Sequence, residues 1–110
     1  MDAFAALADP TRRGILEVLA TSGQLAAGDI HGRFDSTPSA ISQHLKVLRE
    51  AELVHVEKRA QQRIYTINPM ALDDMARWIQ RTRTFWNARL DALEALLQAE
   101  DEAMFAEKEE

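Results

Sequence analysis

The chain has 110 residues, 46% of them hydrophobic, and a formal net charge of −5. That apolar content suits one folded domain and argues against an intrinsically disordered segment. There is no cysteine, which excludes disulfides, thiolate metal sites and thiol redox sensing.

Residues 2–8 read as a short helix with Ala3, Phe4, Leu7 and Ala8 on its apolar side. A helix of about seven residues does not persist alone in water, so it must pack on this domain or on a second chain. Asp9-Pro10 opens the next helix, with Asp9 as cap and proline in the first turn. Ile15, Leu16, Val18 and Leu19 give its core side, and Thr21-Ser22-Gly23 ends it. Arg12 and Arg13 sit in its first turn, the unfavourable end for a cation. Either they are solvated, or a phosphate or acidic partner lies nearby.

A further helix is expected over 27–34, with Ile30 and Phe34 at i, i+4 and Asp29 in the first turn. A three- or four-residue turn would then lead to STPSAISQHLKVLRE, residues 36–50. Thr37 caps this helix and Pro38 takes its first position. Ile41, Leu45 and Leu48 make one apolar stripe; Ser39, Ser42, Gln43 and Lys46 make another side of short or flexible hydrogen-bonding groups and a cation. Such a helix is either an ordinary amphipathic surface helix or one suited to the DNA major groove, where side chains read base edges. Two helices joined this way form a helix-turn-helix, the second being the reader.

After Glu50 the period changes from 3.6 to 2. LVHVEK and RIYTIN, separated by Ala60-Gln61-Gln62, read as a β-hairpin flanked by Arg59 and Arg63. A basic hairpin directly after a reading helix is a wing, able to lay cations along a phosphate backbone. Asn68-Pro69 opens the last helix, which runs to about Ala99 or as far as Ala106 and has no glycine or proline to interrupt it. Leu72, Met75, Ile79, Thr82, Trp86, Leu90, Leu93 and Leu97 follow spacings of three and four. A domain this small cannot cover so long an apolar side, which argues for a second subunit. Residues 100–110 form an acidic tail, and the charge of residues 98–110 alone is −5. Residues 38–66 sum to +2, so the candidate binding region is mildly basic.

LADPTRRGILEVLA (7–20), PSAISQHLKVLREAELV (38–54), RIYTINP (63–69) and FWNARLDALEALL (85–97) resemble the hallmark segments of the ArsR/SmtB winged-helix transcriptional repressors. The resemblance covers nearly the whole chain. It implies a mainly α, winged helix-turn-helix fold of order α-α-α-α-β-β-α, one domain over residues 1–110, dimerising through the first and last helices. It implies a homodimer on operator DNA, with Thr37, Ser39, Ser42, Gln43, His44 and Lys46 from the reading helix and Arg59 and Arg63 from the wing in contact. The dimer residues would be Phe4 and Leu7 with Leu72, Met75, Ile79, Trp86, Leu90, Leu93 and Leu97 of helix 69–99.

The chain departs from the family in three places. Glu52 stands where a glycine usually ends the reading helix, a left-handed position that strains a glutamate by roughly 1 kcal/mol. The hairpin tip has Ala60-Gln61 in place of glycine, leaving its turn type open. The family's sensing ligands are missing: His31, His44 and His55 are far apart in sequence, so no metal and no other cofactor is expected.

A dimeric winged-helix adaptor without DNA binding remains the alternative. No Gly-rich phosphate loop or catalytic triad spacing supports an enzyme. No apolar run approaches the roughly 20 residues of a membrane span, and MDAFAALADP lacks the basic start of a secretory signal, so a cytoplasmic protein is expected. Trp78, Phe85 and Trp86 either line an effector pocket or pack in the dimer, and any effector is unidentified.

Overall fold

The computed structural model describes residues 2–109. Its elements are α1 (Ala3–Ala6), α2 (Pro10–Ser22), β1 (Leu25–Ala26), α3 (Ala27–His31), α4 (Pro38–Glu50), β2 (Val54–Arg59), β3 (Gln62–Ile67) and α5 (Pro69–Glu109). By internal contacts the chain divides into two compact units, residues 1–75 and residues 76–110. The first unit holds the winged helix-turn-helix. In the second unit, every residue from 76 to 107 is exposed.

The helix starts are chemical. The carboxylates of Asp2 and Asp9 accept from the backbone N–H of Phe4 and Arg12, and the Thr37 hydroxyl accepts from that of Ala40. Asn68 Oδ1 accepts from Met70 N at 3.2 Å to open α5. The core of the first unit comes from one side of each element: Ile15 and Leu19 of α2, Ile30 of α3, Ile41, Leu45 and Leu48 of α4, then Leu53, Val54 and Tyr65. No polar or charged residue is buried among the described residues. Gly14 in mid-α2 is explained by packing: a Cβ there would lie 3.0 Å from the Phe34 ring.

Three features differ from the sequence expectation. Leu25–Ala26 form a short strand that pairs with Tyr65–Ile64, so the wing is a three-stranded sheet of order β1-β3-β2. α3 stops at His31, with Gly32 as its C-cap, and Phe34 packs on the core from beyond the helix end. The turn between α3 and α4 therefore runs over 32–37, longer than expected. α5 continues past residue 99 and three residues beyond the longer expected end at Ala106, to Glu109, since its alanines and glutamates are good helix formers. Among the described residues no helix is long and apolar enough to cross a membrane.

The end of α4 is a Schellman motif built without glycine. The N–H of Glu52 donates to Arg49 O and the N–H of Leu53 to Leu48 O, both at 3.0 Å. Glu52 takes φ +61°, the strained conformation its position demands. Leu48 and Leu53, the apolar pair that accompanies this motif, are both fully buried. Asn68 seals the joint: its N–H donates to Leu53 O at 2.9 Å and its side-chain Nδ2 to Glu52 O at 2.8 Å. At the hairpin tip, Arg59 pairs with Gln62 across a two-residue turn. Ala60 has φ +54° and Gln61 does not have positive φ, the sign pattern of a type II′ turn.

Glu52→Gly should raise stability by about 0.5–1 kcal/mol, the strain relieved being larger than the added freedom of the unfolded chain. Urea denaturation checks this; a loss of stability would show that Glu52 makes contacts that outweigh its strain.

Candidate nucleic-acid interface

α4 is fixed by its apolar edge, with Ile41, Leu45 and Leu48 all 3% exposed or less. The opposite edge is thereby turned outward. Ser39, Ser42, Gln43, Lys46 and Arg49 line an open groove of about 490 Å³ together with His31 of α3 and Arg63 and Tyr65 of β3. None of its lining residues is acidic. Four of the residues expected on the reading helix are thus brought together with a wing arginine. Thr37 stands at the entrance to α4 as its cap.

The two wing arginines are placed differently. Arg59 pairs with Glu57 at 3.1 Å and reaches the Gln24 carboxamide at 3.4 Å, so part of its charge is already neutralised. Arg63, opposite Lys58 in the ladder, faces the groove. Arg49 and His31 were not singled out from the sequence. Arg49 continues the row of three- and four-residue spacings from Ser39, Ser42 and Lys46, so that signal was present. His31 arrives from another helix, and only the packing of α3 on α4 reveals it.

His44, expected at DNA by resemblance, is turned toward α2. Its Nδ1 lies 3.3 Å from Arg12 Nη1 and 3.8 Å from Asp9 Oδ2. Arg12 also donates through Nε to Ala6 O, and Arg13 donates to Leu7 O at 2.7 Å. The carboxylate of Asp9 is an acidic neighbour of Arg12, and Arg13 stays exposed, yet both guanidinium groups are also held by backbone carbonyls. They sit at the start of α2 yet satisfy the last carbonyls of α1, the favourable end for a cation. Arg12 therefore clasps α1, α2 and α4 together.

The apolar residues expected at a dimer contact also divide. Leu7 and Met75 are half-buried against the first unit's own core, whereas Phe4 and Leu72 are exposed. In the second unit Ile79, Trp86, Leu90, Leu93 and Leu97 are exposed along α5. No group of three or more His, Asp or Glu side chains suited to a metal ion occurs among the described residues.

A helix-turn-helix domain model matches residues 7–57. Transcriptional repressor SdpR of Bacillus subtilis (strain 168) is 38% identical over 76 residues, covering 69% of this chain and 83% of SdpR. HTH-type transcriptional regulator Rv2034 of Mycobacterium tuberculosis (strain ATCC 25618 / H37Rv) is 38% identical over 98 residues, covering 89% of this chain and 88% of Rv2034. The solved structure of an ArsR-like transcriptional regulator from Rhodococcus sp. RHA1 is similar, with TM-score 0.76 at 31% identity over 84% of this chain and 87% of that one. The chain belongs to the ArsR family. This ArsR-family chain is a DNA-binding transcriptional regulator, a family role that points away from enzymes, and the adaptor alternative is not favoured.

The clasp beneath α4 is titratable. The backbone N–H of Arg12 holds the Asp9 carboxyl below its usual range, aided by the charges of His44 and Arg12 and opposed by partial burial. A lowered pKa means stabilisation that is present above the unfolded value of 3.8 and lost as pH falls through the folded value. Asp9→Asn keeps a capping oxygen but removes the charge. Its stability deficit at neutral pH should shrink as pH drops below 3.8, as followed by urea denaturation at a series of pH values. A deficit that stays constant into strong acid would contradict the assignment.

Proposed function

We propose that this chain is a homodimeric repressor that binds a palindromic operator through α4 and the wing. The observation that carries the reading is the acid-free groove in which Ser39, Ser42, Gln43, Lys46 and Arg49 meet Arg63. Gln43 is the base reader, since a carboxamide pairs bidentately with adenine. Ser39 and Ser42 contact bases or phosphates beside it. Lys46, Arg49 and Arg63 neutralise phosphate, with Thr37 and the half-neutralised Arg59 at the margins. His44 acts through Arg12, holding α4 at its angle. Repression follows from the likeness to the transcriptional repressor SdpR and works by excluding polymerase. Acting on DNA, the protein works in the cytoplasm.

The dimer reading is supported by α5. Most helical stability in proteins comes from packing of an apolar face, and the large apolar residues of α5 between 79 and 97 are exposed. The stripe Ile79, Trp86, Leu90, Leu93 and Leu97 invites the same stripe of a second copy; Phe4 and Leu72, exposed on the first unit, are assigned to the dimer contact as well. Two reading helices related by that two-fold would enter major grooves about one helical turn, or a multiple of it, apart.

The test is fluorescence anisotropy against a duplex from the protein's own promoter and a scrambled duplex, at two salt concentrations. The reading expects tight, salt-sensitive binding to the promoter alone; no binding to either at low salt would overturn it. Gln43→Ala should lose roughly 1–3 kcal/mol on the cognate duplex only. Arg63→Ala should weaken both duplexes alike and reduce the salt slope. Identical behaviour of the two variants on both duplexes would undo this division of roles. Leu93→Glu should leave a monomer in sedimentation and abolish promoter binding at concentrations that saturate the parent. A Leu93→Glu protein that remains dimeric would remove α5 from the interface.

A further inference from the structure

We propose that His31 is a DNA contact of this interface, and that DNA binding is coupled to uptake of a proton on its imidazole. The proposal rests on the reading of α4 and the wing as the DNA face.

His31 is the last residue of α3, with Gly32 as the C-cap. The side chain is half-buried, and its Nε2 lies 3.5 Å from Ser42 Oγ in the middle of the outward row of α4. It lines the same groove as Lys46 and Arg49 of α4 and Arg63 of β3. β3 also contributes Tyr65 there, while β1 offers only the apolar Leu25 and Ala26. On its own helix Asp29 faces a neighbouring depression that Arg63 borders.

Three cations around one hollow draw a phosphate into it. That phosphate sets negative charge beside the imidazole. An anion within a few ångströms favours the protonated ring, and a charge-assisted N–H···O bond to phosphate adds to it. The imidazole gains one proton from solvent and no other bond changes. By linkage, DNA binding strengthens proton binding and acid strengthens DNA binding. Imidazole is the side chain whose charge changes near neutrality, so the effect falls in an accessible range. The other two histidines are set apart: His44 is engaged by Arg12, and His55 is exposed on β2 opposite Thr66.

The experiment uses the full chain, its promoter duplex and a scrambled duplex, titrated by anisotropy at constant low salt from about pH 8 to about pH 6. The parent should bind several-fold more tightly at the acid end. His31→Gln should lose most of that gain and show a shallower salt slope at acid pH. His55→Gln should keep the gain. The unmodified protein supplies a second reading: the His31 imidazole resonances at fixed pH near neutrality should shift toward the protonated form when DNA is added. A pH dependence as steep in His31→Gln as in the parent, or imidazole resonances that DNA does not move, would overturn the proposal while leaving the DNA face intact. No binding of either duplex at any pH would overturn the DNA face itself, and this proposal with it.

Discussion

The burial of Ile41, Leu45 and Leu48 fixes the rotation of α4 about its own axis, and the direction of every other α4 side chain follows from that rotation. Each of these residues contributes roughly 1.5–3 kcal/mol when fully buried, so turning the helix would forfeit several kcal/mol. The polar row of Ser39, Ser42, Gln43, Lys46 and Arg49 is therefore presented by the core rather than by its own contacts. That arrangement leaves its side chains exposed and able to meet base edges. The reading face can vary among relatives without touching the stripe that aims it.

Two joints keep α4 at its angle. At its C-terminal end the Schellman turn binds Leu48 to Leu53, and Asn68 ties the same turn to the start of α5. Strain at Glu52 is tolerated because the buried leucine pair and the Asn68 bonds over-determine the conformation. At mid-helix, His44 meets Arg12, which also holds the end of α1 and shares Asp9. Both joints are polar contacts at the rim of an apolar core. Neither buries a charge, in keeping with a core that holds no polar side chain among the described residues.

Much of this was legible in the chain because its punctuation is explicit. Each proline begins a helix, each with an acceptor before it, and the change of period after Glu50 marks the wing. The left-handed backbone at Glu52 followed from where a glycine is usual. What escaped was tertiary. A two-residue strand such as Leu25–Ala26 is too short for periodicity, and only β3 beside it makes it a strand. Phe34 keeps helical spacing from Ile30, yet the helix ends at His31 between them. Arg12 and Arg13 looked misplaced on α2, because their partners are carbonyls of the preceding helix. His31 and Ser42 are eleven residues apart on different helices, and no local rule joins them.

The account turns on α4 entering the major groove. Protection of guanine N7 from dimethyl sulfate on the protein's own promoter tests it most directly, because that atom lies on the major-groove edge. The account predicts two protected clusters separated by about one helical turn or a multiple of it, arranged symmetrically about a palindrome centre. Bound complex with every N7 still reactive, or protection confined to the minor-groove edge of adenine, would contradict it.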